Sequence, residues 1–437
     1  MKKYFGTDGI RGVVGKDLTT ELAFKCGLAL CKEIKKPTVI IGGDTRTSRD
    51  MLVSAVSSGV MQGGGRVIDV GVCPTPAIAY LTKEVGVDYG VVISASHNPP
   101  KFNGIKIFDR NGQKLDDSEE EKLEKIIDGK FEPILSCGSY KNGRGLKRKY
   151  IEHLVGSCHG SLKGLKVALD CSNGASGRIA PQVFKMLGAE VVSTATSRNG
   201  EKINEKCGST NPQNISAFVK KMNADVGFAF DGDADRIIAC DENGKIIDGD
   251  IIIFMLAKYF KKTTGLKDNT VVGTTHTNTG IEKALKKFGV NLIRAEVGDK
   301  YVIEKMEERG LNLGGEKSGH VILKDYATTG DGVLTAVKIS EMMMALNKRL
   351  SKLAKVRLYL ECSLNVDILD KQKVMASNEL QDTLKEIKNN ARGHTKIIVR
   401  PSGTEPKIRI MVESNKKNVC EDIASKIYKV IKRIDGE

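Results

Sequence analysis

A chain of 437 residues with 40% hydrophobic content, no tryptophan and 5% aromatics can form two to four soluble domains. Its formal charge of +15 suits an anionic small substrate; with no basic run interleaved with stacking residues, nucleic acid is disfavoured, and pairs such as Lys261-Lys262 and Lys416-Lys417 read equally as solvated surface. The best apolar run, Ile251 to Ala257, is too short for a membrane span, no secretory signal follows Met1-Lys2-Lys3, and ten cysteines without a C-x-x-C pair read as reduced thiols of a cytoplasmic protein.

In chain order, Phe5-Gly6-Thr7-Asp8-Gly9-Ile10-Arg11-Gly12 is a glycine-punctuated loop with one arginine, followed by a helix-like stretch from Leu18 to Lys35. A strand over Thr38 to Ile41 runs into Gly42-Gly43-Asp44-Thr45-Arg46, a helix follows, and Arg66 to Val70 and Val91 to Ile93 read as the second and third strands. This order predicts a doubly wound parallel sheet. Residues Asn142 to Gly164, rich in Lys, Arg, Gly and Ser, read as a linker, with Tyr150 to Leu154 open to being a helical turn.

The unit recurs as Lys166 to Asp170, a polar loop from Ser172 to Gly177, a helix ending near Leu187-Gly188, then Ala189 to Val192 and Val226 to Phe230. It recurs again as Thr270 to Gly273, a loop from Thr274 to Gly280, a helix to Phe288-Gly289, Val290 to Ile293 and Gly310 to Gly314. After about residue 355 come alternating strands, Lys396 to Arg400 among them, and helix-like stretches over Asp370 to Asn389 and Asn415 to Ile434. The expected fold is α/β: three similar doubly wound α/β domains (1–150, 151–250, 251–358) and a smaller C-terminal α+β domain (359–437) around a central cleft.

Each third strand ends in an unusually polar loop, the position where open α/β sheets bind ligands. In Ser94-Ala95-Ser96-His97-Asn98-Pro99 small residues admit a ligand to the backbone and proline stiffens the exit, although an ordinary turn has the same composition. In Asp231-Gly232-Asp233-Ala234-Asp235-Arg236 small spacers let three carboxylates converge on a hard cation such as Mg²⁺. A solvated acidic turn competes, as does a calcium loop with Glu242 at position twelve, though Arg236 stands where that loop needs glycine. Gly315-Glu316-Lys317-Ser318-Gly319-His320 offers groups suited to sugar hydroxyls, or is a glycine turn. Arg400-Pro401-Ser402-Gly403-Thr404-Glu405-Pro406-Lys407-Ile408-Arg409 concentrates phosphate donors beyond what a hairpin turn requires.

Together these loops resemble the α-D-phosphohexomutase superfamily over nearly the whole chain. The opening Tyr4 to Gly12, Val297-Gly298-Asp299-Lys300-Tyr301-Val302 and Thr328-Thr329-Gly330-Asp331-Gly332 look like its bacterial phosphoglucosamine mutase branch, with departures at Ala234 (usually Gly), Lys300 (usually Arg) and Lys317 (commonly Gln). The resemblance implies an isomerase that interconverts glucosamine 6- and 1-phosphate, feeding UDP-N-acetylglucosamine and cell-wall precursor synthesis. Ser96 would carry the phosphoryl group, with a sugar 1,6-bisphosphate as primer and intermediate and Mg²⁺ on phosphorylated Ser96, Asp231, Asp233 and Asp235.

Lys106 matches the presumed base, its pKa expected to be lowered by Arg11, Arg236 and the metal; without the resemblance it reads as a surface lysine at a strand end. Arg11 and His97 would steady the transferring phosphate. Substrate would be held by Arg236, by Glu316, Ser318 and His320 on the sugar, and by Arg400, Ser402, Gly403, Thr404 and Arg409 on the other phosphate. The partner is then a phosphosugar, with neither nucleic acid nor membrane, and a homodimer is open. Rival readings are a phosphoglucomutase or phosphomannomutase of the same superfamily, an aspartate-nucleophile phosphatase and, most remotely, a non-catalytic calcium-binding protein.

Overall fold

The computed structural model describes residues 3–6, 8–130, 137–390, 395–402 and 406–436. They fall into two compact units, Met1–Thr277 with Leu285–Lys355, and Asn278–Ala284 with Val356–Glu437. No helix among the described residues is long and apolar enough to cross a membrane.

The first unit holds three sheets built alike. In the first, Thr38–Gly43 lies parallel to both Arg66–Val72 and Tyr89–Ile93. In the second, Lys166–Asp170 is parallel to Glu190–Thr194 and Val226–Phe230. In the third, Thr270–Thr274 is parallel to Asn291–Ala295 and Leu313–Gly315. Tyr89–Ile93, Val226–Phe230 and Thr270–Thr274 are buried along their whole length, which is why they read as largely apolar runs.

Each parallel core also carries an antiparallel return strand. Phe102–Phe108 pairs with Tyr89–Ile93, Ile237–Asp241 with Val226–Phe230, and Val321–Leu323 with Leu313–Gly315. The sheets are therefore mixed, and each polar loop is the turn of a hairpin rather than a crossover to a helix.

Residues 142–164, read as a linker with a helical turn open over Tyr150 to Leu154, hold the longer helix Lys147–Gly156, which contains that turn. Tyr150 and Leu154 on it are fully buried, the Tyr150 hydroxyl donates to Asp331 at 2.8 Å, and His153 stacks on Tyr80 with ring centroids 4.3 Å apart. Only one face is apolar, so the outward Lys and Arg residues left only its middle turn legible.

The second unit is an antiparallel sheet with Lys407–Ser414 between Leu360–Asp367 and Thr395–Pro401. Ile408, Ile410 and Val412 pack with Leu380, Ile427 and Ile431 from the helices Asn378–Asn390 and Lys417–Asp435. The single helix expected over 370–389 is two, Lys371–Ala376 and Asn378–Asn390, separated at Ser377 by extended backbone (φ −64°, ψ 126°).

Candidate active site

Ser96 is 1% exposed and sits at φ +51°, a left-handed conformation that disfavours a residue with a β-carbon by about 1 kcal/mol. The loop overdetermines it. The Ser96 amide donates to Ser94 Oγ at 2.9 Å, and Ser94 Oγ donates to Asp44 at 2.6 Å. Arg46, paired with Asp44, donates to the carbonyls of Ser96, Asn98, Pro99 and Phe102 at 2.6–3.0 Å, and Asn204 donates to the Ser96 carbonyl at 2.8 Å. This arrangement delivers Ser96 Oγ to Asp231 Oδ2, 2.5 Å away.

Asp231, Asp233 and Asp235 are all buried, with oxygens within 4.8 Å of one another. Ala234 at φ +57° curls the loop, and at Gly232 a β-carbon would lie 2.7 Å from the Ser96 carbonyl, so this loop and the serine loop touch through backbone. Asp233 Oδ1 and Asp235 Oδ1 are buried without a hydrogen-bond partner, a hard-oxygen arrangement that fits a divalent cation such as Mg²⁺.

The carboxylates are not equivalent. Burial, then repulsion from Asp235 and Asp233, pushes Asp231 well above the usual range. Asp235 would also be raised by burial, but Lys106 and His320 hold it well below. Both bland readings fail: the triad is not solvated, and Glu242 accepts from Ser351 Oγ at 2.5 Å beyond the strand Ile237–Asp241.

Lys106 lies inside Phe102–Phe108, 1% exposed, rather than on the surface. Its Nζ is 3.0 Å from Asp233, 3.1 Å from Asp235 and 3.1 Å from Asp8. Burial and Arg11 pull its pKa down, but without a metal in the site Asp233, Asp235 and Asp8 outweigh them, and Lys106 is held well above the ordinary lysine value. Arg11 pairs with Asp8. Nδ1 of His97 lies 3.3 Å from Ser96 Oγ, and desolvation, reinforced by Arg236 and Arg11, drives this imidazole down to about 4, so it is neutral at pH 7. The Arg236 amide donates to Asp231 at 3.2 Å, and its Nε lies 4.0 Å from Asp235.

In the third loop, Glu316 accepts from the Gly298 amide at 3.0 Å and from Ser318 Oγ at 3.1 Å, with Ser318 exposed. His320 Nδ1 is 3.8 Å from Asp235, while Nε2 accepts from the Gly330 amide at 3.1 Å. The proton of the neutral ring therefore belongs on Nδ1, and Asp235 favours adding a second one. Gly319 has no alternative: at φ +93° a β-carbon would lie 1.9 Å from the Ile237 carbonyl, and the Ile237 amide donates to Gly319 O at 3.0 Å. The serine, acidic and third loops are thus one contiguous site in the first unit.

Arg400, Ser402 and Arg409 lie in the second unit. Arg400 and Arg409 are direct cross-strand partners, a like-charged pair that favours an anion between them. Lys371 donates to the Ser402 carbonyl at 2.9 Å, and the Ser402 amide closes the turn on Lys407 O at 2.8 Å. Gly403 and Thr404 lie outside the described residues.

Sequence reasoning missed Arg46, Asn204 and Thr75, whose hydroxyl donates to Asp233 at 2.6 Å. It also gave no role to Asp8, Lys114 or Asp299. Asp44-Thr45-Arg46 did carry a signal, charges directly at the end of a buried strand; Asn204, Thr75 and Lys114 carried none.

Four family descriptions match successive parts of the chain: phosphoglucomutase/phosphomannomutase alpha/beta/alpha domain I over residues 2–133, domain II over 148–244, domain III over 248–359 and the C-terminal domain over 364–430. The chain is 44% identical over 446 residues to the phosphoglucosamine mutase of Geobacillus thermodenitrificans, covering 100% of both. Among solved structures it resembles a phosphoglucomutase/phosphomannomutase family protein from Burkholderia thailandensis, with TM-score 0.82, 26% identity and coverage of 98% and 97%. It shares the fold of Aspergillus fumigatus N-acetylphosphoglucosamine mutase, solved with GlcNAc-6P and magnesium, with TM-score 0.70, 16% identity and coverage of 99% and 96%.

Proposed function

The chain belongs to the phosphoglucomutase/phosphomannomutase family, and from that we propose that it interconverts glucosamine 6-phosphate and glucosamine 1-phosphate through a phosphoserine at Ser96 and a sugar 1,6-bisphosphate. The observation that carries the reading is the Ser96 hydroxyl, held in a left-handed residue 2.5 Å from a buried carboxylate triad. Phosphoryl transfer depends chiefly on such positioning and on neutralising charge.

In the forward half-reaction the Ser96 Oγ–P bond breaks and a sugar O–P bond forms. Lys106 as a neutral amine takes the proton of the attacking hydroxyl, becomes the ammonium that its carboxylates stabilise, and in the second half returns that proton to the departing sugar oxygen as Ser96 Oγ takes back the other phosphoryl group. Mg²⁺ held by Asp231, Asp233, Asp235 and the Ser96 phosphate would supply charge neutralisation at the transferred group. Arg11 and Arg236 bring positive charge to the site, and neutral His97 can offer only a hydrogen bond. Glu316, Ser318 and His320 orient the sugar, while Arg400, Ser402, Gly403, Thr404 and Arg409 take the other phosphate. All ten thiols are free, which supports a cytoplasmic setting.

The test is a coupled assay of glucosamine 6-phosphate turnover with Mg²⁺ and a bisphosphate primer, beside glucose and mannose phosphates, for wild type and Ser96→Ala. Preference for the amino sugar, abolished in the variant, is expected. Better turnover of glucose or mannose phosphate would reassign the substrate, and full activity of Ser96→Ala would overturn the phosphoserine.

A further inference from the structure

Lys106 belongs to a closed ring of ionisable side chains that extends well beyond the metal loop. Its neighbour Asp8 accepts from Lys114 Nζ at 2.5 Å through its other oxygen, and Lys114 also pairs with Asp299. Asp299 Oδ2 lies 3.6 Å from His320 Nε2, His320 Nδ1 lies 3.8 Å from Asp235 Oδ1, and Asp235 Oδ2 returns to Lys106 at 3.1 Å. Three chain segments far apart in sequence meet at Lys114, whose side chain is 14% exposed, beside Asp8 at 18% and Asp299 at 11%.

Asp299 begins the helix Asp299–Glu308 directly after Gly298, whose amide donates to Glu316. A continuous path therefore runs from the sugar-loop carboxylate through Gly298, Asp299, Lys114 and Asp8 to Lys106. Without Lys114, Asp8 and Asp299 would face each other as buried like charges and repel.

We infer that Lys114 is a positioning residue for the mutase reaction: by clamping Asp8 to Asp299 it holds Lys106 in register with a sugar seated on Glu316. This rests on the proposed function, and the experiment separates the two.

Wild type, Lys114→Met, Lys114→Gln and Lys114→Arg are compared by kcat and KM for glucosamine 6-phosphate. Each kcat is normalised to the fraction of protein whose Ser96 takes up phosphate from glucose 1,6-bisphosphate with Mg²⁺, read by intact mass. Lys114→Met and Lys114→Gln are expected to lose about 10²-fold in normalised kcat with KM within about threefold, because misplacement of reacting groups acts on the transition state. Lys114→Arg, which keeps a cation between the carboxylates, is expected to recover to within about fivefold of wild type, as the clamp requires charge rather than a particular head group. Combining Lys114→Met with Glu316→Gln should cost less than the product of the single losses, the sign of a shared path.

Normalised kcat within about twofold of wild type in both neutral variants, or multiplicative losses in the double variant, would overturn the inference. A wild type that takes up no phosphate on Ser96 and does not turn over glucosamine phosphate would overturn the mutase reading instead.

Discussion

Arg46 is the residue on which the geometry of Ser96 depends most. It is 2% exposed, and its guanidinium makes five donations: Nε to Asp44 at 3.0 Å, Nη1 to Pro99 O at 2.6 Å and Phe102 O at 2.8 Å, and Nη2 to Ser96 O at 3.0 Å and Asn98 O at 2.7 Å. Arg46→Met strands a fully buried Asp44, which burial already pushes upward against the pull of Arg46, and it leaves loop carbonyls short of a donor. Breaking a buried ion pair from one side costs about 3–5 kcal/mol. That is a large share of an ordinary total of about 5–15 kcal/mol, so the urea midpoint should fall markedly. Turnover normalised to folded protein should fall by about 10²-fold or more, because Ser96 loses its orientation. Arg46→Met with Asp44→Asn removes the stranded charge and should recover part of the stability but none of the activity. A single variant destabilised by less than about 1 kcal/mol, or a double variant less stable than the sum of its parts, would refute the reasoning.

Three further outcomes follow from the site and its supports. Gly319→Ala places a β-carbon 1.9 Å from the Ile237 carbonyl at φ +93°, so KM for the sugar phosphate should rise more than about tenfold and stability should fall by about 1–3 kcal/mol, read by kinetics and thermal melting. Burial raises Asp331 from 3.8 to about 6, so its carboxyl favours the fold below pH 4 relative to pH 8 by about 3 kcal/mol. Asp331→Asn, which can still cap the helix Gly332–Leu346, should therefore gain in melting temperature over wild type as pH rises from 4 to 8, and a pH-independent difference would refute this. Mg²⁺ at a hundredfold over its Kd should stabilise chelator-stripped protein by about 2.7 kcal/mol, an effect that Asp233→Asn should largely remove in a thermal-shift titration.

What the sequence disclosed tracks burial. Strands covered on both faces, such as Val226–Phe230, are apolar throughout and legible, as is the Asp231 loop, whose three carboxylates stand at alternate positions of one short segment. The return strand Phe102–Phe108 was not, because Asn103 and Lys106 interrupt its apolar run. Both are buried only because distant partners satisfy them: Ser48 Oγ accepts from Asn103 at 2.9 Å, and three carboxylates surround Lys106. The carboxylates that hold Lys106 cationic come from distant segments, which no local pattern around position 106 reveals. Arg11 and Arg236 are visible in the expected site, whereas the approach of Asp8 from the opening loop is a tertiary fact. The Lys114 clamp joins positions 8, 114 and 299, a separation at which no local pattern operates.

The four polar loops share one architectural device. Each joins two antiparallel neighbours: Tyr89–Ile93 to Phe102–Phe108, Val226–Phe230 to Ile237–Asp241, Leu313–Gly315 to Val321–Leu323, and Thr395–Pro401 to Lys407–Ser414. In the first unit, a loop fixed at both ends by one ladder has far less freedom than one leading into a helix, which suits groups that must hold a phosphoryl centre to within tenths of an ångström. The return strand can also carry chemistry itself: Lys106 lies on the first and Arg409 on the last, each in register with the outgoing strand at Val92 and Arg400. Strand pairing thus sets the spacing between a loop group and its partner on the return strand, and a one-residue slip would turn Lys106 to the opposite face, away from Asp233 and Asp235. In the first sheet, the antiparallel strand added to a parallel core is thus what sets Lys106 beside Asp233 and Asp235.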